Sequence, residues 1–308
     1  MNRQKNFVLM ILLMFVLGAC SKEGKDCCMV GEVPSLVFRY RFDSTQVRLN
    51  NIGQPSVIPP GNAALSPRMN KMSAHYIELA PSAFTLLGTG AVVYHAPETT
   101  AGGSNAIDFK QSVFAGDGEI FFSIPLKQVP PGTYEWLRIS LAYQNFELPF
   151  RLDTTVSGVS INRTFTGTLA SFVGFNNYIE SFKVKNGVIS VNGNRKQGFW
   201  GFEADFSSLG IPQPITSSGE APEGSTTVVN PLFQTSPIPQ GSCVVTAAFE
   251  PGKLVITGKE TKDIVIEASF STNKSFEWVD TYPNGFWEPL KKEKVVDMGL
   301  RGLKPRVL

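Results

Sequence analysis

Histidine is almost missing from this 308-residue chain, which has only His75 and His95. Cysteine is scarce as well, at positions 20, 27, 28 and 243. A zinc or copper centre gathers several nitrogen or sulfur ligands, so few residues here could anchor one. No Gly-x-Ser-x-Gly elbow, His-Glu-x-x-His pair or P-loop occurs, which removes the common signatures of serine hydrolases, zinc peptidases and P-loop enzymes. Neither charge sign dominates, with 28 Lys and Arg against 26 Asp and Glu. There is no basic block to hold nucleic acid and no acidic tail. No apolar run approaches the roughly 20 residues that span a hydrocarbon core, and no long helical periodicity appears.

What is present begins at the N-terminus. Met1–Asn6 carries Arg3 and Lys5 without an acid, Phe7–Val16 is apolar, and small residues follow. This is the anatomy of a secretory signal peptide. Leu17-Gly18-Ala19-Cys20 resembles the bacterial lipobox. That resemblance implies cleavage before Cys20, diacylglycerol on its thiol and acylation of the new amine, more than the two signals that stable anchoring needs. The expected organisation is a leader over 1–19, a polar tether over 20–33 and a folded body over 34–308. Loss of Arg3 and Lys5 with the leader takes the formal charge from +2 to zero.

No Asp follows Cys20 directly, so the inner-membrane retention signal of enteric bacteria is missing and the outer membrane is the default. Lys22, Glu23, Lys25 and Asp26 resemble the surface-export signal of Bacteroidota lipoproteins. The periplasmic face and the cell surface both stay open. Asp43-Ser44-Thr45 and Asp153-Thr154-Thr155 resemble the O-glycosylation sequon of that phylum, but read more simply as turn residues.

Leu36–Phe42 alternates, with Leu36, Phe38, Tyr40 and Phe42 on one face, as a half-buried strand would. Further strands are expected over 75–80, 91–96, 116–126, 130–143 and 199–206. A strand over 145–152 should return as a hairpin partner of 130–143. Pro81–Leu87 reads as a short helical turn with Phe84 and Leu87 on one side. Lys185-Asn186-Gly187 and Val191-Asn192-Gly193-Asn194 are both short-hairpin signals. From Ser207 to Gly241 the pattern dissolves into Pro, Ser, Gly and Thr, a long loop that is either a recognition surface or a solvated connector crossing the surface to join two sheets. Three evenly spaced strands follow over 243–270. The expected fold is all-β, an antiparallel β-sandwich with long loops and little helix.

Two stretches bear on family. "LVFRYRFD" near the start of the body and "PPGTYEWLRISL" farther on resemble the MbnP-like family of exported bacterial β-sandwich proteins, and "SAHYIEL" sits where that family has another strand. The resemblance implies the sandwich fold and export. Some members bind copper through histidines, but the aromatic-rich His segments of those members are lacking here.

Export would put the thiols in a disulfide-permissive place. Either Cys27 or Cys28 pairs with Cys243, tying tether to body, or all three stay unpaired. His75 and His95 both fall on expected strands and could meet across a sheet as copper ligands, although two histidines alone fit packed structural side chains better. Asp117, Glu119, Glu203 and Asp205 are the candidates for a glycosidase carboxylate pair, with Glu203 and Asp205 on one side of a strand. Trp278 and Trp287 flank a Pro-Asn-Gly turn and could stack a glycan, although aromatic residues mostly fill cores. The sequence therefore points to a non-catalytic binding or assembly module at the envelope, contacting the membrane through its anchor and a protein or glycan through its loops. A copper-binding protein and a glycan-active enzyme are the alternatives.

Overall fold

The computed structural model describes residues 33–50, 53–156, 158–221 and 243–308. The leader, Cys20, Cys27, Cys28 and most of the 207–241 loop lie outside these residues. The fold is all-β, as expected, and its helical turns among the described residues are three-residue 3-10 segments such as Phe109–Gln111 and Pro289–Lys291.

Two sheets face each other. The smaller runs in the order Leu303–Val307, Ile264–Ser271, Ser35–Asp43, Ile120–Pro125. The larger runs Ile215–Gly219, Trp200–Ala204, Val159–Phe172, Trp136–Val156, Arg68–Ala80, Ala91–His95, with Cys243–Ala248 also paired to Trp136–Val156. Leu36, Phe38, Tyr40, Ile266 and Phe270 of the first meet Met72, Ile77, Leu79, Leu137 and Ile139 of the second in one buried cluster. The alternation of 36–42 dictates this, since every second residue points inward. Two pairings among the described residues depart from the antiparallel rule: Ser35–Asp43 lies parallel to Ile264–Ser271, and Asn176–Lys183 lies parallel to Ala106–Asp108.

The Trp136–Val156 strand is the spine, and it corrects two expectations. It runs on through 145–152, where a hairpin partner was expected, because Asn145 is buried in the ladder with its side-chain amide donating to the Val184 carbonyl rather than turning the chain. Its antiparallel partner is Val159–Phe172. Pro149 is tolerated because Arg68–Ala80 pairs only as far as Glu147, so beyond that point the strand has a ladder on one side alone. The inward-facing parity also switches along it. Leu137, Ile139 and Leu141 enter the main core, whereas Phe146, Leu148 and Phe150 enter a second cluster with Phe276, Trp278 and Trp287. Phe42 and Leu300 pack against both clusters.

Three other local expectations are corrected. Lys185-Asn186-Gly187 does sit in the connection between Asn176–Lys183 and Val188–Lys196, but Val191–Asn194 continues the strand, with Asn192 absorbing a positive φ of 51°. Phe84 and Leu87 do not share a side: Phe84 is 93% exposed and Leu87 is buried. Inside the expected loop, Ile215–Gly219 forms an edge strand against Trp200–Ala204. The strands over 243–271 are where expected, yet they join three different sheets rather than a meander.

Candidate metal centre

His75 lies on the Arg68–Ala80 strand at a break in its ladder. Ala74 faces Leu141 and Tyr76 faces Ser140, so His75 and Ala142 drop out of the pairing. An irregularity of this kind re-aims a side chain. His95 ends the neighbouring Ala91–His95 strand directly opposite Tyr76, one residue off from His75. The chain then turns through Pro97, and Glu98 starts a short strand in another sheet, opposite Ile107. Two sheets thus deliver three donors to one point.

Glu98 Oε1 lies 2.9 Å from His75 Nε2 and 3.4 Å from His95 Nε2. Its other oxygen accepts from Asn105 Nδ2 at 2.9 Å. Ligand atoms of His75, His95 and Glu98 all lie within 4.8 Å of one another. The His75 side chain is 1% exposed and that of His95 44% exposed, so the group opens to solvent on one side. Phe175 and Tyr76 pack against the His75 ring, with centroids 5.2 and 5.5 Å away.

Burial drives the His75 imidazole down from 6.5 to about 4, against the pull of Glu98. Burial alone would raise the Glu98 carboxyl, but hydrogen bonds from Asn105 and His75 outweigh it and hold it below its ordinary value. At neutral pH the site therefore offers a neutral imidazole and a carboxylate, the protonation states in which these groups ligate metals. A tetrahedral ion with bonds of about 2.0–2.1 Å spaces its ligands about 3.3 Å apart. Both carboxylate–imidazole distances already fall near that spacing, so the residues fit a late first-row ion. His75 Nδ1 is buried without a hydrogen-bond partner. Packing therefore orients this ring, in place of the hydrogen bond that usually holds a metal-bound imidazole.

The other sequence candidates separate. Glu203 is buried, and its carboxylate accepts the backbone N–H groups of Lys185, Asn186 and Gly187 at 2.8–3.1 Å. Asp205 is exposed beyond the strand end and accepts from Ser207 N at 2.8 Å. Asp117 accepts from Phe42 N, and Glu119 from Gly116 N. Glu203, Asp205 and Glu119 hold backbone turns and Asp117 ties to the Ser35–Asp43 strand, so the expected shared side of Glu203 and Asp205 makes no catalytic pair. Trp278 is 0% exposed beside Phe276 and offers no face to a ligand, which corrects the expectation from its loop-flanking position. Trp287 is mostly buried but lines a cleft. The Cys243 thiol is buried and free among the described residues, and burial pushes it up to about 12.

Sequence reasoning named both histidines and missed Glu98, which looked like turn material. A His-x-x-Glu spacing at a strand end was the available signal. No protein-family model, no curated protein and no solved structure matches this chain.

Proposed function

We propose that this chain is a lipid-anchored envelope protein that holds a metal ion rather than transforming a substrate, with His75, His95 and Glu98 as ligands. The observation that carries the reading is the convergence of three donor atoms within 4.8 Å from two different sheets. Two imidazole nitrogens and one oxygen suit copper(II) or zinc, and the general order of divalent affinities puts copper first. The likeness of 36–43 and 130–141 to the MbnP-like family supports export and a sandwich fold, and the choice of copper rests on the donor set alone. The leader and the lipobox resemblance at Cys20 support an outer-membrane setting. The burial of Glu203 in a turn argues against the glycan-active alternative.

Exposed His95 would admit the ion from solvent, and buried His75 would hold it. The test is a copper(II) titration of the chelator-treated, tag-free protein, followed by electron paramagnetic resonance. One equivalent with nitrogen hyperfine structure is expected, abolished in the His75→Ala, His95→Ala double variant. Absence of stoichiometric binding, or binding that the double variant leaves unchanged, refutes the proposal.

A further inference from the structure

A second site lies away from the histidines, between the edge of the large sheet and the Val295–Met298 strand. It is a cleft of 460 Å³. Clefts of about 300–1,000 Å³ with apolar walls and a few polar groups are the usual form of small-molecule sites. The walls are Trp200, Phe202, Trp287, Leu169, Val295 and Met298.

The aromatic walls are held in place by glycines across the sheet. A Cβ on Gly219, opposite Trp200, would lie 3.0 Å from that indole's Cζ2. A Cβ on Gly167 would lie 2.3 Å from Phe202 Cζ. Trp200 Nε1 donates to the Glu220 carbonyl at 3.1 Å, which fixes the ring's orientation. Phe202 meets Trp287 edge to face, with centroids 5.8 Å apart. Trp200 and Phe202 nevertheless stay partly exposed, which a ring serving only the core would not need.

The polar lining decides what fits. Glu293 is buried, and its oxygens are engaged by the N–H groups of Glu288 at 2.7 Å and Tyr282 at 3.4 Å. Ser217, Lys292 and Lys294 are the other polar side chains of the lining, too few to pair with all the hydroxyls of a sugar, and unpaired buried hydroxyls would cost binding. Lys292 is exposed at the mouth, in a left-handed conformation with φ of 60°. Its ammonium has no ion-pair partner among the described residues. An apolar interior with a cation at its entrance is complementary to a chain with one anionic end.

We propose that this cleft binds a free fatty acid, with its hydrocarbon chain against Trp200, Phe202 and Trp287 and its carboxylate at Lys292. The test uses the full-length protein in its membrane and a twelve-carbon fatty acid bearing a terminal diazirine, photolysed and mapped by peptide mass spectrometry. Saturable labelling of peptides carrying Trp200–Ser217 and Trp287–Met298 is expected, displaced by dodecanoate and about three- to five-fold less well by dodecanol, as loss of a solvent-exposed ion pair implies. Lys292→Glu, a surface change that leaves the walls intact, should weaken dodecanoate displacement by a similar factor and leave dodecanol unaffected. Trp200→Ala should reduce labelling whichever competitor is used. The proposal is overturned by non-saturable labelling, as when another part of the chain fills the cleft, or by labelling elsewhere. Displacement by maltotriose but not dodecanoate, equal displacement by acid and alcohol, or indifference to Lys292→Glu would also overturn it.

Discussion

Replacing His75 by Gln should flatten the acid limb of this protein's stability curve. The imidazole is buried and held near 4 in the fold, against 6.5 when unfolded. Between those values the unfolded chain binds a proton that the folded chain refuses. Stability from this group is therefore complete above pH 6.5, declines as pH falls toward 4, and is gone below that. The drop from 6.5 to about 4 corresponds to about 3 kcal/mol. Glu98, held below its ordinary value, loses its contribution in the same direction but at lower pH. Gln keeps a polar side chain of similar reach and cannot titrate. The assay is urea unfolding of the metal-free protein in chelator, at intervals from pH 7.5 to 4, for wild type and variant. Wild type should lose about 3 kcal/mol more than His75→Gln across that window. If both lines fall in parallel, His75 is not the group that resists protonation, and the burial argument for its neutral state fails.

Glu203→Gln should cost about 2 kcal/mol in urea unfolding, because charged hydrogen bonds to three turn N–H groups are lost and an amide is turned toward donors. A loss below about 0.5 kcal/mol would mean the turn holds without them. Cys20→Ala should leave an unprocessed precursor or release the protein from membranes. Unchanged gel mobility with full partition into detergent would end the lipoprotein reading.

Much of the architecture was legible because period-two alternation is local. Leu36–Phe42 reads as a strand from its own residues, and Phe38 and Tyr40 are buried as that reading requires. The misreadings share a cause: pairing and exposure that lie outside the stretch being read. The 145–152 stretch looks like a separate strand until its shared ladder with Val159–Phe172 shows that it continues 136–144. Val191–Asn194 looks like a turn, yet pairing with Tyr178 and Ile179 keeps Gly193 and Asn194 in the ladder. Ile215–Gly219 carries no alternation because an exposed edge strand of Ser and Thr buries almost nothing. The site was half legible. Both histidines were readable as strand residues, but the pairing that sets His95 opposite Tyr76 and the ladder break that turns His75 toward Glu98 depend on register that residue type does not encode.

The parallel pairing of Ser35–Asp43 with Ile264–Ser271 has a consequence for how the molecule comes into being. The first strand of the body is clamped between Ile120–Pro125 and a strand more than two hundred residues downstream. Until that late strand arrives, Leu36, Phe38 and Tyr40 have one neighbour and an open ladder edge. Contacts this distant in sequence slow folding, because the connecting chain must be ordered before they form. A truncation anywhere before Ile264 would leave a sticky, apolar edge rather than a smaller working protein. The first of the described strands thus waits for one of the last, and the body is complete only when the C-terminal strands Ile264–Ser271 and Leu303–Val307 have joined it.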